Sequence, residues 1–354
     1  MAEQGKLKHA PPGVEARKYL VDGLMLTWCM GPNTRAWRER EPDLLGLLLA
    51  FAAIYFVWGS TFLAIRFAVE TLPPLLMMGT RHLVAGLLLF TWQRARGRWR
   101  PEPRLWFAAL FSGAFCFLGC HGLIAWAEVR VSSGLTALLS ATLPVWMVLL
   151  ARIRGQQSEL TPKVLSGIAL GFVGVAVLMP LGFMGRGWEE VSAIAILVAE
   201  IFWAVGAIHA RGIKTTTPPS TFAAMQMLCG GALLWAVGLG FGEASRLHAE
   251  AFTMRSVLSL AFLILFGSLL TFTAYTWLLQ TSSPALVSTH SYVNPLVAVF
   301  LGWALASERV TFGTLAGAGI ILASVWLLSL RTRRVAGRAD EATEACGAVA
   351  RRGV

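Results

Sequence analysis

Charge is scarce in this 354-residue chain: Asp, Glu, Lys and Arg make up 14% of it, against about 25% in soluble domains. With 56% of residues hydrophobic, that shortage excludes a water-soluble fold of this size. Cysteine is scarce as well. The five residues Cys29, Cys116, Cys120, Cys229 and Cys346 form an odd set without a CxxC pair, so neither a disulfide framework nor a structural zinc site is indicated. Three motifs are missing altogether: the GxxxxGK[ST] phosphate loop, the HExxH zinc helix and the GxSxG nucleophile elbow. Their absence argues against nucleotide hydrolysis by this chain and leaves an enzyme reading without a nucleophile, metal set or cofactor; no cofactor is expected.

What remains is apolar sequence in long runs. Crossing the hydrocarbon core takes about 20 apolar residues as a helix and about 10 as a barrel strand. Ten runs of helical length lie near 44–69, 75–93, 105–127, 132–151, 162–181, 191–210, 219–241, 257–279, 284–303 and 312–330. The expected fold class is therefore an all-α polytopic membrane protein with ten transmembrane helices, partnered by the lipid bilayer. Fourteen Trp and 35 Gly agree, since Trp collects at headgroups and Gly is common in membrane helices.

The net charge of +11 follows topology and gives no sign of a nucleic-acid partner. Of 30 Lys and Arg, 23 fall in the termini and in alternate loops, five in the opposite loops, and Arg66 and Arg81 inside spans. By the positive-inside rule both termini are cytoplasmic. Residues 1–43 and 331–354 read as basic disordered tails, and the first lacks the apolar core of a signal peptide.

The two halves match. At an offset of 145, Trp58 falls on Trp203, Arg66 on Arg211, Pro73 and Pro74 on Pro218 and Pro219, Arg81 on Gln226 and Gly86 on Gly231. At an offset of 151, Phe115 falls on Phe266, Trp126 on Trp277, Ser132 on Ser283, Ser140 on Ser291 and Pro144 on Pro295. The expected repeats are 44–181 and 191–330. Five spans per repeat force the second copy to enter from the opposite face, and such inverted repeats are a transporter architecture.

Several polar groups sit deep in the spans. Pro144 and Pro295 each remove a helix hydrogen bond and are expected to kink their helices, either as tolerated packing or as a cavity wall to which Ser140, His290, Tyr292 and Asn294 add polar groups. Trp58 and Trp203 lie too deep for interfacial belts. They either pack a helix crossing or offer an aromatic wall, with Ser60 and small residues leaving room for a ligand. Glu200, about 14 Å inside its span, and Arg81, about 9 Å inside, are costly charges in a membrane. Glu200 is read as a proton carrier, a cation-binding carboxylate or an ion-pair partner of Arg81. Gly167, Gly171, Gly174, Gly313 and Gly317 give small-residue packing faces, leaving the chain a monomer or a homodimer. Cys116, Cys120 and His121 read as core residues, not as a metal site.

The segments IYFVWGSTFLAIRFAVETLPPLLMMGTRHLVAGLLL, VSSGLTALLSATLPVWMVLLA and LVSTHSYVNPLVAVFLGWALASERVT, with their WGSTF, RxxxAG and NPxxAxxxGWxxxxE patterns, resemble the EamA branch of the drug/metabolite transporter superfamily over residues 44–330. The resemblance implies a bacterial inner-membrane protein with two five-helix repeats, a central cavity and efflux of small metabolites or drugs. The expected function is proton-coupled secondary export of a small organic molecule, amino-acid-like or amphipathic; a gradient-driven uniporter and a membrane-embedded enzyme are the alternatives.

Overall fold

The structure, a computed structural model, describes residues 44–97, 102–153, 162–178, 187–213, 215, 217–281, 287 and 290–327. The expected tails, 1–43 and 331–354, lie outside them. The described residues from 47 onward belong to one compact unit, and among the described residues there is helix and no strand.

The helices are α1 (Leu44–Val69), α2 (Pro74–Ala95), α3 (Pro103–Glu128), α4 (Ser133–Ser140 continued by Leu143–Ile153), α5 (Pro162–Leu178), α6 (Trp188–Arg211), α7 (Pro219–Gly240), α8 (Met254–Phe262 continued through Leu263–Leu270 to Thr271–Thr281), α9 (His290–Ala306) and α10 (Phe312–Leu327). Seven of them are long and apolar enough to cross a membrane, and the described parts of α5, α9 and α10 are shorter apolar helices. Their starts are legible in sequence. Proline stands in the first turn of α2, α3 and α7, where its missing N–H costs nothing. Ser132 and Thr253 cap α4 and α8 with side-chain oxygens.

Most contacts between the halves follow a rule of exchange. α1 packs on α8 and α9, α6 packs on α3 and α4, α2 packs on α8, and α7 packs on α3. Relabelling the halves (α1 for α6, α2 for α7, α3 for α8, α4 for α9) turns each of these contacts into another, and maps the α2–α7 and α4–α9 pairs onto themselves. The central α2–α7 crossing obeys it residue by residue. A Cβ added to Gly86 would lie 3.1 Å from the Leu228 amide nitrogen, and one added to Gly231 would lie 2.8 Å from that of Leu83; Leu83 and Leu228 are themselves 145 residues apart. Glycine is required at both places because the backbones touch.

The main core draws on both halves, joining Ile65 of α1, Met78 of α2, Phe117 of α3, Ala199 of α6, Leu234 of α7 and Leu263 of α8. Large apolar side chains point outward all around, among them Phe56, Leu87, Phe107, Phe172, Leu265 and Phe300. Lipid solvates these faces, so their exposure carries no penalty. Gly174 and Gly317 meet Ile321 and Leu178 respectively, Gly171 meets Ser324, and the Ser324 hydroxyl donates to the Gly167 carbonyl at 2.6 Å. The small-residue faces of α5 and α10 are thus used within the chain.

Two prolines with one expected effect behave differently. α4 stops at Ser140, turns through residues 141–142 and resumes at Leu143 with Pro144 in its first turn. Pro295 lies inside α9, which runs from His290 to Ala306 without interruption. The sequence also hides three π-helical stretches, at Ala53–Val57 in α1, Ala114–His121 in α3 and Leu263–Leu270 in α8. Such stretches loosen backbone pairing and collect at functional sites.

Candidate functional site

The π-helical stretches organise the middle of the molecule, because backbone groups loosened at membrane depth need partners. Neighbouring helices supply them. With its carboxamide nitrogen facing α1, Asn294 donates to the carbonyls of Ile54 (3.0 Å), Tyr55 (3.0 Å) and His290 (3.2 Å). The Trp58 indole N–H donates to the Gly267 carbonyl in α8 at 3.1 Å. The Thr271 hydroxyl returns to the Phe266 carbonyl five residues back, at 2.7 Å.

Around these clamps lie two aromatic clusters. In the first, Trp58, Tyr275 and His290 converge, with ring centroids 5.1 Å apart for Trp58–Tyr275, 5.2 Å for Trp58–His290 and 5.9 Å for Tyr275–His290. His290 Nδ1 is 2.9 Å from the Val287 carbonyl, which sets the ring's orientation. In the second, Trp203 stacks on His121 at 5.2 Å, and His121 Nδ1 lies 2.9 Å from His82 Nε2. The two expected symmetry-related indoles therefore each meet a histidine, between α1 and α9 on one side and between α6 and α3 on the other.

The expected site residues fall into three groups. Trp58, His290 and Asn294 come together between α1 and α9. Glu200 is buried on α6 with Ser140 of α4 and Cys120 of α3 beside it, the Ser140 hydroxyl making no hydrogen bond of normal geometry. The rest stand apart: Ser60 spends its hydroxyl on the Val57 carbonyl of its own helix at 2.8 Å, and Gln226 lies on α7, where its carbonyl meets Gly113 of α3. The Tyr292 side chain is outside the described residues.

The Arg81–Glu200 pairing is not formed. Arg81 directs Nε to the Ser268 hydroxyl at 3.0 Å and Nη1 to the Met78 sulfur at 3.7 Å, and the acid in its neighbourhood is Glu128. Similar depth in two spans says nothing about the direction in which each helix faces. Arg66 donates to the Glu128 backbone carbonyl.

Sequence reasoning missed three participants and gave a fourth, Glu308, no role beyond closing the NPxxAxxxGWxxxxE pattern. Tyr275 and His82 sit in apolar runs with no spacing signal, although His82 adjoins Arg81. Glu128 was placed just beyond the third span, whereas α3 includes it and buries it completely. Glu308 accepts from the Ser133 N–H (2.7 Å), the Ser133 hydroxyl (2.8 Å) and the Gly134 N–H (3.0 Å), capping α4 from the far end of the chain. Beside it a cavity of about 440 Å³ opens where α1, α3 and α9 end and α8 begins, lined by Arg66, Glu70, Arg130, Ser132, Arg255, Leu305, Ala306, Ser307 and Glu308. Among the described residues no three His, Cys, Asp or Glu side chains form a metal-holding group.

Long apolar helices, polar clamps at mid-helix and a charged mouth define a polytopic membrane protein of transporter type. The family model of the EamA-like transporter family matches residues 44–179 and 191–330, and the chain belongs to that family. It is 36% identical over 294 residues to the uncharacterized inner membrane transporter YedA of Escherichia coli strain K12, covering 82% of this chain and 93% of that protein. It is 27% identical to the uncharacterized transporter YvbV of Bacillus subtilis, covering 81% and 92%. A crystal structure 18% identical in sequence superposes with a TM-score of 0.58, covering 82% of this chain and 99% of that one, and shares the fold.

Proposed function

We propose that the chain is a secondary active transporter of the bacterial inner membrane that exports a small organic metabolite or drug, amino-acid-like or amphipathic, in exchange for protons. Both termini face the cytoplasm, and ten crossings form two inverted five-helix repeats. The observation that carries this reading is the exchange rule in the helix packing, down to the paired Gly86–Leu228 and Gly231–Leu83 approaches. The exchange relates the halves as repeats, while among the described residues α1 packs on α3 and α4 without an equal contact of α6 on α8 and α9; swapping these unlike conformations between the halves gives a second state of near-equal energy, which is what alternating access requires. The two stretches matched by the family model support the same division.

In this reading Trp58, His290 and Asn294 form one wall of the substrate path and Trp203 the other. Glu200 carries the proton. An indole face suits an amphipathic or cationic substrate, and a carboxylate beside a hydroxyl at membrane depth can release and regain a proton as access alternates. The test is reconstitution into liposomes with a panel of amino acids, quaternary ammonium compounds and sugars, reading flux with and without a pH gradient. Gradient-accelerated efflux of at least one class is expected. Equal flux in both conditions would reject proton coupling in favour of a uniporter, and no flux of any class would reject the substrate assignment.

A further inference from the structure

Glu128 ends α3 with 0% exposure, and among the described residues neither carboxylate oxygen has a hydrogen-bond partner. An ionised carboxylate buried in this way is among the most expensive groups a protein can hold unless donors surround it. Donors are near and are directed elsewhere. Arg66 spends a guanidinium N–H on the backbone carbonyl of Glu128 and not on its side chain, while Arg81 is held by Ser268. Glu308, the other acid nearby, has three donors of its own from Ser133 and Gly134. Two carboxylates at one end of the bundle are thus treated in opposite ways, one fully solvated by protein donors and the other by none.

Arg66 is also the link to water. It lines the 440 Å³ cavity with Arg130, Ser132 and Glu308, so Glu128 lies one side chain beneath that cavity. On the interior side, His121 lies on the same helix seven residues earlier, two turns away and on the same face. Its ring is already hydrogen-bonded to His82. The charged groups around Glu128 are Arg66 from α1, Arg81 from α2 and Glu308 from the segment after α9; α6 brings Glu189 and Glu190 in its first turn and Glu200 deeper, and α4 brings Ser133.

We propose that Glu128 is the proton-loading site of the cavity face. It takes a proton from cavity water, is sealed from that water in the conformation described here, and gives the proton up toward the His82–His121 pair when the face closes and reopens. Ionised, the carboxylate turns to Arg66 at the cavity wall. Protonated, it needs no ionic partner and lies buried as observed. This deepens the proton-coupled reading above and rests on it for its role, though not for its chemistry.

The test is infrared difference spectroscopy on acidification of the full-length protein in liposomes, following the C=O stretch of protonated carboxylic acids. The wild type and Glu200→Gln should both gain a signal that Glu128→Gln lacks and that Glu128→Asp restores at a shifted frequency. Glu128→Gln, the neutral isostere of the protonated acid, should melt at the wild-type temperature. A signal unchanged in Glu128→Gln overturns the proposal. So does a Glu128→Gln protein that melts several degrees lower together with a silent Glu128→Asp, because the carboxylate then serves as a structural partner of Arg66 and Arg81. Wild-type protein that gives the Glu128 signal but no gradient-driven flux rejects proton-coupled transport alone and leaves the proton site standing.

Discussion

Glu200, Arg81 and Asn294 share one feature, a polar group in an apolar span, and three different surroundings decide what each does. Among the described residues Glu200 has a hydroxyl neighbour and no ion-pair partner, so Glu200→Gln should fold normally, retain substrate exchange and lose its response to a pH gradient. Because no ion pair joins them, the stability effects of Glu200→Gln and Arg81→Gln should add within about 0.5 kcal/mol, which thermal melts of the single and double variants will check; rescue in the double variant would restore the ion-pair account. Asn294 is a clamp on carbonyls of α1 and α9. Asn294→Leu should therefore lower stability by about 1–2 kcal/mol as well as slow transport, whereas a residue that only touches substrate would slow transport and leave the melting temperature alone. The sequence marks these residues as unusual through their polarity in apolar runs. It does not say which way they point, because the direction of a side chain depends on helix rotation, which packing sets.

At the scale of the helices, close approach is the governing constraint. α2 and α7 touch through Gly79, Gly86 and Gly231, and Gly231→Ala should cost about 1–3 kcal/mol through overpacking, read as a lower melting temperature in detergent, with Gly86→Ala similar. Gly240, whose added Cβ would meet nothing, is the control and should tolerate Ala. An equal effect at Gly240 and Gly231 would show that the loss comes from helix chemistry and not from the crossing. Element positions were largely legible, because runs of about 20 apolar residues have few alternatives. The interruptions were not. Pro144 follows a break and Pro295 does not, although both removed the same hydrogen bond in the sequence reading. The π-helical stretches of α1 and α8 leave no local signature, since loosened carbonyls there are stabilised by Asn294 and Trp58, groups distant in sequence. The N-termini of α2 and α4 are likewise completed from afar. Glu243 accepts from the Leu75 and Leu76 N–H groups at 3.2 and 2.9 Å, where Pro73 has no side-chain oxygen to offer.

For the whole molecule, the 23-to-5 distribution of Lys and Arg makes a concrete expectation: reporters fused at Gly182 and after Val354 of a functional protein should be periplasm-active and cytoplasm-active respectively. A periplasm-active reporter after Val354 would overturn the inverted arrangement. Removing residues 1–40 should leave insertion and transport unchanged, checked by membrane yield and flux, since that polar stretch precedes the first span. The sequence by itself determined the class of the fold and membership of a transporter family. Hydrophobic length and loop charge are read by the bilayer directly, one segment at a time, so they need no tertiary information. Tertiary structure alone decided that Arg81 faces Ser268 and not Glu200, that Asn294 clamps the π-helical turn of α1, and that Glu128 is sealed without a donor beneath a charged cavity. Each of these turns on which groups meet across helices more than 100 residues apart, or on the depth at which a helix ends. Lipid imposes no such choice; the packing of helix against helix does.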